Sequence, residues 1–378
     1  MNLNNNTQTQ IPAITPKLSA GGFSLIELMI AMTVGLVIVA AVVQIFVRSH
    51  STYQLDEGLS RVQESARFTM DYLSKDLRMA GYLGCNSALF STSAVKNNVT
   101  PSSETTVFAS GGIRGYRYAC TTGCSGALSE WQPNLPVTFF GAGEVRTGSD
   151  VVIIYRGSDL DTSLDGNLFP ENGNLQIKDT VTIAGQIATD DVLMVSDCKG
   201  ADIFRATSVS SGTGQLTISH AVSGVSGNST PMLSKPYMGD ARLMKLVSRA
   251  YYVANSNVAD PASEPGLFSK ELGSAGLLLA GQQLVGGMES MKILYGVDTA
   301  ATGSAARYVV PTDVADWTKV VSVRLGVIVR TPGTVDAALD TKTYNLLDDT
   351  GSLLDDFGPA NDTRRRRVFN TTIRVRNH

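Results

Sequence analysis

One carboxylate stands at the edge of a long apolar segment, where its chemistry is that of an ion pair. Glu27 directly precedes residues 28–47, a run of 20 residues without a charged side chain. A carboxylate beside an apolar helix in a membrane costs a few kcal/mol when it is unpaired, so it needs a cation or a proton. No Lys or Arg lies within two helical turns of Glu27. Its partner must come from elsewhere, which makes Glu27 the first candidate functional residue.

Cysteine chemistry is the second possibility. Cys85, Cys120, Cys124 and Cys198 all follow the apolar segment. In an oxidising compartment an even count predicts two disulfides, and the sequence leaves the three possible pairings open. Zinc is disfavoured, because Cys120 and Cys124 are four positions apart rather than three and no His lies near any cysteine. We therefore predict neither a metal site nor a cofactor.

The apolar segment determines where these groups reside. At 1.5 Å per residue, residues 28–47 reach about 30 Å as a helix, which is enough to cross a bilayer core. The residues are apolar all round, unlike an amphipathic helix of a soluble domain. A cleaved secretory signal is disfavoured, because the run is too long and only Lys17 precedes it. We predict a transmembrane helix over residues 23–47.

The residues around Glu27 resemble the type IV prepilin signature. Residues 21–28 read GGFSLIEL and lead directly into the apolar run. The resemblance implies that prepilin peptidase cuts after Gly22 and that Phe23 is methylated, so that residues 1–22 are a leader peptide. The Phe23 ammonium of a neighbouring subunit would then dock on Glu27. It also implies a single-pass inner-membrane protein with a periplasmic head, which later enters a pilus at the cell surface.

The rest of the chain predicts an amphipathic continuation of the helix and a β-rich head. Residues 48–81 carry an apolar stripe, Gly58 marks a possible bend, and Gly81 is a natural stop. The fold class is α+β, with one helix from Phe23 to about Ala80 packed on a mostly antiparallel head, residues 82–378, of more than one sheet. Strands are predicted near residues 151–155, 191–195, 242–253, 291–297, 321–330 and 369–376.

Three regions of the head are predicted to be irregular. Residues 86–135 indicate an insertion pinned by disulfides, and residues 254–276 and 331–362 indicate surface loops. Residues 203–209 and 215–218 look like the arms of a hairpin.

Further stretches resemble the PilW-type minor pilins. They are residues 66–68, 76–85, 285–289, 295–298, 317–324 and 367–377. This resemblance implies a non-catalytic subunit that initiates or supports pilus assembly at the tip. Its partners would be other minor pilins, the major pilin and possibly a tip adhesin. The alternatives are a minor pseudopilin of type II secretion and a tip adhesin or DNA-uptake subunit.

Other signals favour ordinary structural interpretations. Arg364–Arg367 is interpreted as a solvated strand entry, neutralised by preceding aspartates such as Asp362, and the net charge of −3 does not favour nucleic acid. Asp159, Asp161 and Asp165 resemble part of a calcium loop, but a polar turn is favoured because the ligand set is incomplete. No catalytic triad, phosphate loop or dinucleotide motif is present, so an enzyme is not predicted.

Overall fold

A long helix opens the described part of the chain. The computed structural model describes residues 22, 24–84, 95–100, 111–166, 168–178, 183, 185–212, 214–222, 227–260, 262–271, 279–335, 338–347 and 356–375. Helix α1 runs over Leu25–Arg78 without interruption, close to the predicted bounds. It is followed by Gly81, whose φ of 74° is the left-handed conformation that ends many helices.

Twenty strands follow the helix among the described residues. They are β1 (Val95–Asn97), β2 (Val99–Thr100), β3 (Ile113–Tyr118), β4 (Trp131–Gln132), β5 (Val151–Ser163), β6 (Leu175–Lys178), β7 (Val192–Asp197), β8 (Gly200–Arg205), β9 (Ser208–Ser211), β10 (Gln215–Ser219), β11 (Gly227–Asn228), β12 (Arg242–Asn255), β13 (Pro265–Glu271), β14 (Gln282–Gly286), β15 (Met288–Val297), β16 (Arg307–Val309), β17 (Val320–Arg330), β18 (Tyr344–Asn345), β19 (Asp356–Phe357) and β20 (Arg366–Arg374).

These strands form two main sheets and three small ones. The larger sheet has nine strands in the order β1-β8-β7-β12-β5-β3-β4, and β13 and β14 extend it from β12. A four-stranded sheet has the order β16-β15-β17-β20. The small sheets are β6-β10-β9, β11-β2 and β18-β19. Among the described strands only β1 and β8 pair in parallel, so the α+β class with a mostly antiparallel head is confirmed.

The chain divides into two compact units, and the division falls inside α1 between Gln54 and Leu55. In the first unit, helix residues 25–54 leave almost all of their side chains exposed. In the second unit, the rest of α1 buries one face at a spacing of three or four residues. That face comprises Gly58, Val62, Ala66, Thr69, Leu73, Asp76 and Leu77.

Three apolar clusters form the core of the second unit. The helix packs in the first cluster with Val152 and Ile154 of β5 and with one face of β15 and β17. Neighbouring Ile153 and Tyr155 point into the second cluster on the opposite side of the sheet. The third cluster lies around β6, β7, β8 and β10. Burial of Leu73 or Leu77 in the first cluster contributes roughly 1.5–3 kcal/mol.

Several sequence-based expectations for the head were wrong. Residues 86–135 are not wholly an insertion, since β3 pairs with β5 inside the nine-stranded sheet. The predicted loop 254–276 contains β13, which pairs with β12. The hairpin joins β9 to β10 only, while residues 200–205 pair with β7 instead. The predicted loop 331–362 contains the short strands β18 and β19. Long-range pairing, which local composition does not reveal, accounts for these differences.

Gly58 does not interrupt the helix. Helix α1 is continuous through it, and a side chain there would lie 3.1 Å from Thr331 and 3.3 Å from Val335. The missing side chain of Gly58 therefore allows residues 331–335 to approach the helix closely.

A second close approach, at Gly115, gives a test of this packing. A Cβ at Gly115 would overlap the fully buried Tyr295 ring, whereas one at Gly333 meets no atom within 4 Å. We expect Gly115→Ala to lower the free energy of unfolding by about 2–4 kcal/mol. Gly333→Ala should change it by less than about 0.5 kcal/mol. Chemical unfolding of the detergent-solubilised protein measures both, and equal stability of the two variants would contradict the packing described.

Candidate processing and assembly site

The start of α1 holds the residues of the predicted processing site. Gly22 is exposed, with no atom within 4 Å of the position of a Cβ, and Phe23 lies outside the described residues. Glu27 is exposed in the first helical turn, where its Oε2 accepts a hydrogen bond from the Ser24 backbone N–H at 3.3 Å. Ser24 thus takes the N-cap position and Glu27 the third helical position, which is half of a capping box. Sequence reasoning missed this role, although the Ser-x-x-Glu spacing signals it.

The apolar half of the helix presents hydrophobic side chains to its surroundings. Helix α1 is long and apolar enough to cross a membrane, and the most apolar part of it buries nothing against the rest of the molecule. The exposed side chains include Leu25, Ile26, Leu28, Met29, Ile30, Leu36, Val37, Ile45 and Phe46. Such a surface requires lipid or other helices around it.

The far end of α1 is held to the sheet by a buried carboxylate. Asp76 accepts hydrogen bonds from Arg156 Nε at 2.9 Å, from Arg249 Nη1 at 3.0 Å and from the Tyr251 hydroxyl. Arg249 also donates from Nε to Glu271 at 2.5 Å. Burial, followed by the Asp76 charge, raises the pKa of Tyr251, so that its phenol remains a donor. This ion cluster joins one helix to β5, β12 and β13.

A second ion cluster explains the arginine run. The Arg366 side chain is 1% exposed and donates to Glu289 at 2.5 Å, to Asp340 at 3.0 Å and to Asp362 at 2.7 Å. Arg330 adds a bond to Glu289 at 3.0 Å. The Arg366 hydrogen bond lowers the pKa of Asp362 to about 2. Neutralisation by Asp362 was predicted correctly, but a fully solvated run was wrong, because strand alternation turns Arg366 to a covered face.

The three described cysteines are oxidised, and one bridge is local. Cys120 and Cys124 form a disulfide with an S–S distance of 2.06 Å. The bridge closes a five-residue loop, and the backbone N–H groups of Ser125 and Gly126, which directly follow it, donate to Glu130, so the bridge fixes a tight turn rather than a long insertion. Because the two sulfurs are bonded to each other, they are not thiolate ligands for a metal. Cys198, in the β7–β8 turn, is also disulfide-bonded, and Cys85 lies outside the described residues.

The aspartates of the possible calcium loop lie mainly in a strand. Asp159 and Asp161 belong to β5, which contradicts the expected turn over these positions. Asp165 follows the strand and accepts a hydrogen bond from Gln215 at 2.8 Å.

Two family models match this chain, one at each end. Residues 18–43 match the prokaryotic N-terminal methylation motif, and residues 250–377 match the type IV pilus-assembly protein W family, PilW. Together the two matches support a type IV pilin-like protein of the PilW type. The first match includes Gly22 and Glu27. The second includes β15, β17 and β20 together with Glu289, Arg330 and Arg366, so the second ion cluster lies within the PilW-type region.

Among solved structures, a type IV-like pilin, TTHA1219 from Thermus thermophilus, is similar to this PilW-type chain at 12% sequence identity. The similarity covers 84% of this chain and 96% of that one, with a TM-score of 0.34. No curated protein matches the chain. The two family matches alone carry the assignment.

The Asp76 cluster predicts a large effect of a single substitution. Asp76→Ala leaves the arginines around it buried without their carboxylate, and we expect a loss of about 3–5 kcal/mol in the free energy of unfolding. The matched control is Glu57→Ala, which removes an exposed pair with Arg61 at 2.8 Å and should change stability by less than about 0.5 kcal/mol. Unfolding of the full-length protein in detergent measures both. Similar values for the two variants would show that the cluster does not fix the helix.

Proposed function

We propose that this chain is a minor pilin that initiates or supports pilus assembly at the tip together with other minor pilins. Prepilin peptidase cuts after Gly22, and Phe23 becomes the methylated amino terminus. Before assembly, α1 crosses the inner membrane once and the head, from about residue 82, lies in the periplasm. Oxidised cysteines in the head support this placement, because disulfides persist in oxidising compartments.

The observation that carries the proposal is the position of Glu27. Its carboxylate lies at the start of an exposed apolar helix, and the hydrogen bond described for it comes from one backbone N–H of its own chain. In lipid or in a bundle of apolar helices, one neutral donor does not balance a full charge. Cleavage after Gly22 generates an ammonium at Phe23, and the Phe23 of a neighbouring subunit supplies the missing cation.

The exposed apolar surface of α1 supports both stages of this pathway. The same side chains can face acyl chains in the membrane or other helices in a fibre, because both surroundings are apolar. Transfer between them then requires no change in the helix. The carboxylate is the group whose pairing differs between the two stages.

The size of the head supports a place at the tip rather than in the repeating body of the fibre. The compact unit from Leu55 to His378 is large for a subunit that must repeat along a filament. At the tip it would contact other minor pilins, the major pilin and possibly an adhesin. The match to the PilW family favours this role over that of a type II secretion pseudopilin.

Processing is tested by mass spectrometry of the mature protein. We expect a chain that lacks residues 1–22 and begins with N-methylated Phe23. The same protein from cells without prepilin peptidase should begin at Met1 and should be absent from sheared pili. A mature chain that still carries the leader in normal cells would refute the processing step.

The assembly role is tested by complementing a deletion strain with Glu27 variants. We expect the deletion to remove surface pili and to leave protein secretion intact. Glu27→Gln retains an oxygen that can cap the helix and loses only the charge. Glu27→Ala loses both. If the charge is what matters, both variants reduce the amount of this chain in sheared pili by about tenfold or more, without lowering its amount in membranes.

Other outcomes of the complementation assign a different role. Normal incorporation of Glu27→Gln together with failure of Glu27→Ala would mean that Glu27 acts only as a helix cap. Normal pili in the deletion strain, with adhesion or DNA uptake lost, would indicate a tip receptor. Blocked secretion would indicate a pseudopilin.

A further inference from the structure

A cavity of about 230 Å³ opens beside the Asp76 cluster. One face of α1 contributes Tyr72, Lys75, Asp76 and Met79, and the sheet contributes Arg156 and Arg249. A cavity of this size holds several water molecules at about 30 Å³ each, so a side chain that enters can displace them. All of these residues belong to the second compact unit.

The charges around the cavity do not cancel. Asp76 is bonded to both arginines, and Glu271, which lies outside the lining, is bonded to Arg249. Lys75 is exposed at the cavity, and no ion pair is described for it. The lining therefore holds three cationic side chains, Lys75, Arg156 and Arg249, and one carboxylate, Asp76, and this positive balance favours a carboxylate from outside.

The surroundings of the cavity favour a protein as the source of that carboxylate. Phe68 is 49% exposed, and its ring stacks on that of Tyr72 with centroids 5.9 Å apart. Tyr72 lines the cavity, and Phe68 lies one turn before it on the same side of the helix. A small free anion has no apolar part that could pack on these two rings. An acidic side chain followed by apolar neighbours can use both features.

We propose that an acidic side chain of another pilus subunit enters this cavity and pairs with Lys75, while an adjacent apolar residue packs on Phe68 and Tyr72. The inference builds on the proposed function, since it takes the partner to be another subunit of the same assembly. Asp76 contributes indirectly, because it holds Arg156 and Arg249 in place as the positive walls of the cavity. Lys75 is the residue that recognises the partner.

The test uses a water-soluble carbodiimide on intact piliated cells. This reagent condenses an amine with a carboxylate that touches it and leaves an amide bond between the two residues. We expect a cross-linked peptide that joins Lys75 to an Asp or Glu of a different pilin, identified by mass spectrometry. Lys75→Arg should lose this cross-link, because the reagent does not couple a guanidinium.

Charge reversal supplies the functional half of the test. We expect Lys75→Glu to lower the amount of this chain in sheared pili by about tenfold or more, since two carboxylates then face each other. Lys342→Glu, at an exposed lysine elsewhere on the head, should leave it unchanged. Thermal unfolding and the amount in membranes should match the unaltered protein for both variants, which excludes misfolding as the cause.

Three results would overturn the inference. The first is that Lys75 forms cross-links only within its own chain. The second is normal incorporation of Lys75→Glu. The third is a defect of Lys75→Glu in the absence of any cross-link from Lys75 to a protein, which would indicate a free anion as the ligand. Cross-links are scored separately in membranes and in sheared pili. The Glu27 and deletion tests could fail while a cross-link between pilins is still found in membranes. That result would support the proposal for the cavity and refute the proposed role in pilus assembly.

Discussion

The attachment of one helix to one sheet through Asp76 is the interaction on which the head depends. A carboxylate in a nearly closed environment is costly unless charged donors surround it, and Arg156, Arg249 and Tyr251 provide them. Hydrophobic packing of Leu73 and Leu77 supplies most of the attraction, but it is not directional. The hydrogen bonds to Asp76 fix the register of the helix against β5 and β12. Any pull on the helix is therefore transmitted to the central strands of the sheet.

The same residues show why the buried charges here are structural rather than catalytic. In both ion clusters the carboxylates are occupied by arginines, and Arg366 is enclosed by three acidic groups. Burial alone would lower the pKa of Arg366, but its hydrogen bonds to Asp362 and Glu289 raise it overall. The Arg366 guanidinium therefore remains a fixed cation near neutral pH and is not suited to proton transfer. The clusters instead fasten α1 and the segment around Asp340 to the two main sheets.

Some elements could be predicted from the sequence and others could not, for physical reasons. Helix α1 and strands such as β5, β12 and β17 have periodic or continuous apolar patterns that can be recognised within each segment's own sequence. The pairing of β13 with β12 joins residues 10 to 22 positions apart and that of β3 with β5 joins residues 35 to 41 positions apart, which local composition does not specify. The functional and structural sites also differ in how far they could be predicted. The Gly-Phe-x-x-x-Glu order is visible at once, whereas the Asp76 cluster joins residues from four separate stretches of chain.

The proposed assembly role of Glu27 competes with its role as a helix cap for the same carboxylate. As a helix cap it satisfies the Ser24 N–H and benefits from the positive end of the helix dipole, which together contribute about 1–2 kcal/mol. An ammonium from a neighbouring chain in apolar surroundings offers a stronger interaction, because a full charge then replaces a partial one. The carboxylate can therefore accept the Ser24 hydrogen bond while the subunit is alone. It can exchange that bond for an ion pair when the N-terminal ammonium of a neighbouring subunit approaches. On this view the capping bond holds the Glu27 carboxylate at the start of the helix until docking begins.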